Sequence, residues 1–295
     1  MDSQTGAGAG GSPAADDFRS RDTPLEYWFL KVSSGHLALL VDWIVRRDRG
    51  EAEVRVSVWV RGTGRVMRST SSGWHVSNEA VEIAGSALTT RDSSGSVGDV
   101  GWDLGLESDG TRLDPVPAPA KLLHPFDMEL VVAPRVRFSG VVHVGGEQFT
   151  LDSDIGTLTH YWGRRLPDSW VWVSAHGLGD GDGVLEAAVL RTRLWGNRRL
   201  SVVGGYVLLQ EGGSTRQVIA PAYGRISGQG DASRFELRAR ALGRDIVVTG
   251  GAAPAAYNDL GESIRQTLLG DVVVTEWGAC NGSAGLEFRG QVLRP

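Results

Sequence analysis

The 295-residue chain contains a single cysteine, Cys280. An intrachain disulfide and a thiolate metal cluster are therefore excluded. No apolar run approaches about 18 residues, so no helix is expected to insert stably in a membrane. Lysine is nearly missing: Lys31 and Lys121 are the only two, and arginine supplies the remaining positive charge. The formal net charge is −5, which argues against a nucleic-acid partner. Catalytic signatures are missing as well. There is no G-x-S-x-G, no Walker A, no H-E-x-x-H and no strand–GxGxxG–helix unit. Serine-esterase, nucleotide-hydrolase and nicotinamide readings lose their usual support. His36, His75, His124 and His143 are scattered, so no metal site is expected. Gly179-Asp180-Gly181-Asp182-Gly183 lacks the distal Glu of a calcium loop and reads as a tight turn.

What is plentiful is glycine and tryptophan, at 41 and 10 residues. The glycine suits many strands and turns. The tryptophan supplies large rigid aromatic area, in a core or around a ligand. Residues 1–17 hold little but Gly, Ala, Ser and Asp. They cannot bury enough apolar area to order themselves, so residues 1–20 are expected to be a disordered tail. They show neither the basic start nor the apolar stretch of a secretory signal, and the expected location is the cytoplasm.

From Leu25 onward the dominant period is two. In Glu53–Val60 four valines point one way, and Glu53, Arg55, Ser57 and Trp59 the other. Further strand-length apolar runs include Leu37–Val45, Val184–Leu190, Leu200–Leu209 and Asp271–Trp277, separated by Gly- or Asp-rich breaks. Such spacing reads as an all-β sandwich or barrel, with a short helical turn near Pro254–Ile264. Pro115–Pro119 is a stiff connector. The expected domains are residues 21–152 and 153–295.

Three segments carry candidate chemistry. In the first, Trp170, Trp172, Ser174 and His176 share one face of a strand, while Val171, Val173 and Ala175 face a plain core. Two indoles, a hydroxyl and an imidazole would bind and orient a large apolar ligand; a packed sandwich core explains them equally well. In the second, Glu26 shares a face with Trp28 and Leu30, and a desolvated carboxyl there would donate a proton. The plainer alternative is a strand-start Glu facing solvent or paired with an arginine. In the third, Asp42 is the only charge in the nine-residue apolar run Leu37–Val45, flanked on its own face by Leu40 and Ile44. A charge there is costly unless paired or functional.

These residues resemble a known group. Glu26-Tyr27-Trp28-Phe29 is similar to the opening of the paired lipocalin-like enzymes, which include carotenoid 1,2-hydratases and lipocalin-like Diels–Alderases. His160-Tyr161-Trp162-Gly163, Leu166-Pro167 and Trp170-Val171-Trp172 together resemble the central block of tocopherol cyclases. Gly285-Leu286-Glu287-Phe288-Arg289-Gly290 resembles their closing motif. Tyr161 stands where those cyclases carry Asn, Arg289 where a Gly is usual, and Ser174-Ala175-His176 where a Gln-Cys follows the Trp pair.

The resemblance implies two tandem lipocalin-like antiparallel β-barrels or half-barrels, with a pocket between or inside them. It also implies ring closure or water addition on polyene substrates, mostly without a cofactor. The expectation is a cofactor-independent cyclase of natural-product biosynthesis, foremost a Diels–Alderase acting on a hydrophobic polyene or polyketide-derived chain. The alternatives are acid-catalysed tocopherol-cyclase-like or hydratase chemistry, and a lipid or pigment carrier without turnover. Glu26, Asp42, His160 and His176 are the candidate acids or donors. Trp28, Trp43, Trp162, Trp170, Trp172, Ser174 and Trp277 are the candidate substrate walls.

Overall fold

A computed structural model describes residues 20–116, 121, 126–179, 181–211, 213–241 and 244–290. The expected tail at 1–17 and most of the Pro115–Pro119 connector lie outside the described residues. The first sheet is built from β1 (Leu25–Ser34), β2 (Leu37–Arg46), β3 (Glu51–Val60), β4 (Thr63–Ser71), β5 (Trp74–Val76), β6 (Ala80–Ile83), β7 (Ser86–Thr89), β8 (Asp92–Val97), β9 (Val100–Ser108), β10 (Met128–Val144) and β11 (Glu147–Gly163). The second contains β12 (Ser169–Leu178), β13 (Gly183–Leu194), β14 (Asn197–Glu211), β15 (Ser214–Ala220), β16 (Arg225–Gly230), β17 (Phe235–Ala241), β18 (Arg244–Gly251), β19 (Asn258–Gly261), β20 (Ile264–Val274) and β21 (Gly278–Arg289).

The two sheets close by the same rule. In the first, β1 pairs with the last strand, β11, and the ladder opens between the consecutive strands β4 and β5. In the second, β12 pairs with the last strand, β21, and the ladder opens between β15 and β16. Every pairing is antiparallel, and each sheet curls into a nearly closed barrel, as the tandem-barrel expectation has it. The expected change of domain at 152/153 falls inside β11, whose residues pair within the first sheet; the chain changes sheet between Gly163 and Ser169. The expected helical turn is a 3-10 turn at Pro254–Ala256, followed at once by β19.

Period-two patterning decides what each barrel holds. Trp28, Leu30 and Val32 of β1, Leu39, Val41 and Trp43 of β2, and Val54, Val56 and Val58 of β3 fill the first barrel. Trp43 meets Trp102 edge to face at 6.1 Å. Val171, Val173, Leu286 and Phe288 help fill the second. Each fully buried side chain of this size contributes about 1.5–3 kcal/mol. A third core lies between the barrels, made by the opposite faces of the same strands: Phe29, Leu40, Trp59, Trp170, Trp172, Tyr206 and Leu268 among others. The register of the central strands thus builds two cores at once, one inside a barrel and one at the seam.

Candidate functional site

The seam is lined by residues that alternate with barrel-core residues. From β1 come Tyr27, Phe29 and Lys31; from β11, Tyr161; from β12, Trp170, Trp172, Ser174 and His176. Phe29 meets Trp172 edge to face at 5.3 Å, and Tyr27 stacks on Tyr161 at 5.6 Å. Gly285, opposite Ser174 in the register, has the Trp172 ring over its backbone: a Cβ there would come within 2.9 Å of the indole.

Along this seam lie three adjoining cavities that share lining residues and together form a crevice. An open cleft of about 450 Å³ forms the mouth, with Leu166, Pro167 and many arginines on its walls. It narrows into an apolar throat of about 50 Å³ between Phe29, Leu40, Tyr161, Trp172 and Leu190. Tyr27, Trp170 and Glu287 line both parts and mark their junction. Beyond Met128, Pro167 and Leu190 lies a further apolar recess of about 60 Å³, lined in part by Tyr206. The Tyr206 hydroxyl is buried and has no hydrogen-bond partner among the described residues.

Three carboxyl groups stand along the seam. Asp42 is fully buried; Arg55 Nε donates to it at 2.6 Å and the Tyr27 hydroxyl at 2.7 Å. Burial raises its pKa, against the pull of Arg55 and Tyr27. Glu287, half-buried at the junction, accepts from Trp170 Nε1 at 2.8 Å and from Gln266 Nε2 at 2.7 Å. Burial raises its pKa too, and the neighbouring Asp42 adds to the rise while Arg55 opposes it. Glu186 lies fully buried under Trp172, whose Nε1 donates to it at 3.3 Å. Burial pushes Glu186 up to about 7 and Lys31 down to about 8. Lys31 Nζ donates to His176 Nδ1 at 3.3 Å, while His176 Nε2 donates to the Pro134 carbonyl at 3.3 Å. That carbonyl sits at an irregularity of β10, between Ala133 and Val136, where proline has no N–H for the ladder. Among the described residues no group of three or more His, Cys, Asp or Glu is placed to hold a metal.

The buried Glu186 makes stability depend on pH. Between its unfolded value of 4.5 and its folded value of about 7 the folded state holds more protons. Stability is present below that window and falls as pH rises through it, by about 3 kcal/mol at about 1.4 kcal/mol per unit. Lys31 acts in the opposite sense at higher pH: from about 8 to 10.5 the unfolded chain holds the extra proton, and stability recovers. Urea unfolding at pH 5 and pH 7 measures the fall. In Glu186→Gln the difference is expected to shrink below about 1 kcal/mol; an unchanged difference assigns the effect elsewhere.

The sequence-predicted residues divide between the seam and the barrels. Asp42, Trp170, Trp172, Ser174 and His176 come together at the seam. Glu26, His160, Trp28 and Trp162 lie together at one end of the first barrel. Glu26 is bound by Arg47 at 2.7 Å, by His160 at 3.2 Å and by the Arg21 N–H at 2.8 Å. Burial pushes its pKa up, but those hydrogen bonds and charges outweigh it and hold it low. His160 stacks on Trp28 at 4.5 Å, and Arg21 lies over Trp162. Trp43 is in the first barrel core and Trp277 in the second.

Sequence reasoning passed over Arg55, Glu186, Glu287, Gln266, Tyr27 and Tyr206 as site residues. Glu186 had a usable signal: it is the lone charge in the apolar run Val184–Leu190, as Asp42 is in its own. Arg55 alternates with core valines, a pattern that reads as a solvated face. Its outward face meets the second barrel instead.

No protein-family model matches the chain. Two uncharacterized proteins of Mycobacterium tuberculosis, from strains CDC 1551 and H37Rv, are 31% identical over 122 residues. The match covers 41% of this chain and 36% of theirs, so the chain matches only about a third of the length of these relatives. The fold is more widely shared. An AttH-like protein of Nitrosomonas europaea superposes with a TM-score of 0.65 at 15% identity, covering 98% of this chain and 99% of that one. Kievitone hydratase of Nectria haematococca gives 0.60 at 10% identity, over 94% and 92%. CghA gives 0.61 at 12% identity, over 97% and 94%. The chain has the tandem lipocalin-like barrel fold of these proteins.

Proposed function

We propose that the chain is a cofactor-independent enzyme that folds an apolar polyene or polyketide-derived molecule in the seam crevice and closes a ring within it by [4+2] addition. The observation that carries this reading is an aromatic throat with a carboxyl group at its mouth, Glu287, disposed to keep its proton. Tyr27, Phe29, Tyr161, Trp170 and Trp172 hold a flexible chain compact, which supplies proximity. A protonated Glu287 donates to a carbonyl on the reacting chain and lowers the barrier as charge develops there. The Tyr206 hydroxyl offers a second polar contact in the far recess. The resemblance of the sequence blocks to lipocalin-like Diels–Alderases, together with the fold shared with CghA, supports ring closure.

Acid-assisted addition of water is the second reading. Glu287 faces the open cleft on one side and the throat on the other, so it can protonate an alkene while water approaches from the mouth. The fold shared with kievitone hydratase supports it. Mass spectrometry of a linear trienone incubated with the protein separates the readings. Ring closure leaves the mass unchanged and alters retention; hydration adds one water. A carrier returns the starting material, and that result would sink both enzymatic readings. Trp172→Ala, which opens the throat wall, is expected to lower conversion by at least about tenfold through lost positioning.

A further inference from the structure

The mouth of the crevice is built largely from guanidinium groups. Seven of its lining residues are arginine, and five are carboxylates: Asp48, Glu53, Asp168, Glu262 and Glu287. Four of the five carboxylates are already engaged or shared, and Asp48 makes no ion pair among the described residues. Glu53 serves both Arg46 and Arg68, at 3.4 and 3.5 Å. Asp127, behind the wall, serves both Arg164 and Arg165. Asp168 pairs with Arg193, outside the lining, at 2.9 Å, and Glu262 with Arg289 at 3.2 Å. Glu287 accepts from Trp170 and Gln266 rather than from an arginine. Arg49 is exposed at the rim with no carboxylate paired to it among the described residues. With Arg193 included, eight arginines stand against seven carboxylates around the mouth, Asp42 and Asp127 counted with the five of the lining, so positive charge is in excess there in a chain whose formal charge is −5.

This charge adjoins the apolar throat directly. The Arg289 guanidinium lies over the Trp170 ring, 5.2 Å from its centroid, and both side chains line the mouth. Arg289 donates from Nη1 to the Pro167 carbonyl at 3.3 Å and from Nη2 to the exposed Glu262 at 3.2 Å. An entering oxyanion competes with that exposed pair for a guanidinium already held flat on the indole. We propose that the arginine-lined mouth binds an anionic head, a carboxylate or phosphate, of an amphiphilic substrate whose apolar part enters the throat. The inference rests on the reading of the crevice as the substrate site and names the substrate's chemical class. A neutral hydrocarbon would leave the arginines solvated and gain nothing from them; an anion at the mouth fixes which end of the molecule enters first.

Isothermal titration calorimetry of the full chain tests this with octanoate, octyl phosphate and octanol at low salt. Both anions are expected to bind at least about tenfold more tightly than octanol, the gap narrowing at high salt as exposed charges are screened. The head that binds more tightly identifies the carboxylate or the phosphate as the better match. In Arg49→Gln/Arg289→Gln the preference is expected to vanish while octanol binding stays. Arg49→Gln alone, at an exposed position, is expected to weaken the anions several-fold and covers the case in which the double variant does not fold. Equal affinity for octanol and the anions, or a preference unaffected by either variant, overturns the anionic-head assignment and leaves the crevice reading standing. Failure of all three probes to bind overturns both.

Discussion

Glu287→Gln is expected to lower turnover by about 10²–10⁴-fold if the reaction takes a proton from this group. If it takes only a hydrogen bond, the loss is expected to be about tenfold, the worth of one such bond. The substitution preserves the local structure. Glu287 now accepts from both Trp170 and Gln266, and an amide accepts through only one of its two terminal atoms. Gln266 can rotate its own amide so that its Oε1, which has no partner, receives the new N–H. What is lost is the acidic proton. In the wild type the rate is expected to fall as pH rises through the Glu287 pKa, which burial places above the ordinary carboxylate range. Steady-state rates across pH for both proteins check this. A wild-type rate indifferent to pH, with an unimpaired Glu287→Gln, would remove Glu287 from the reaction.

Arg55→Met is expected to cost about 3–5 kcal/mol of folding free energy, because it strands Asp42 in the seam. Arg55 approaches Asp42 at 2.6 Å, and neither is appreciably exposed. The Tyr27 hydroxyl alone would then face a carboxylate flanked by Leu40 and Ile44. Against a typical total stability of about 5–15 kcal/mol, that is a large fraction. The deficit is expected to shrink at low pH, where Asp42 takes a proton and its charge disappears. It is also expected to be partly recovered in Asp42→Asn/Arg55→Met, where no buried charge remains. Denaturant unfolding at two pH values measures both. A loss below about 1 kcal/mol would mean that water reaches Asp42.

Much of the fold was legible because strand periodicity records which way each side chain points. Trp28 against Tyr27, and Trp172 against Val173, were assigned to opposite faces, and the structure puts them in different cores. Periodicity does not say what a face meets. Trp28 and Trp43 looked the same as Trp170 and Trp172 in sequence, as rigid indoles in apolar strands. The first pair fills a barrel and the second lines the seam, a distinction set by pairing across the chain. Arg55 and Glu287 escaped for a related reason: a charged residue on an alternating strand reads as solvent-facing until a second sheet covers it. The partner of Asp42 is thirteen residues away on the neighbouring strand. A lone acid signalled the need for a partner without naming it.

Each barrel holds a packed apolar core, with Trp43 and Trp102 crossed in the first and Phe235 and Phe288 in the second. Neither has to be hollow for a guest to be held, since the guest sits in the joint between them. Substitutions among the uncharged seam residues are therefore expected to spare both barrel cores, whereas the buried charges Asp42, Arg55 and Glu186 tie the joint to folding. Such a division of labour lets one scaffold exchange its cargo through a handful of outward-facing positions, without renegotiating how either half folds.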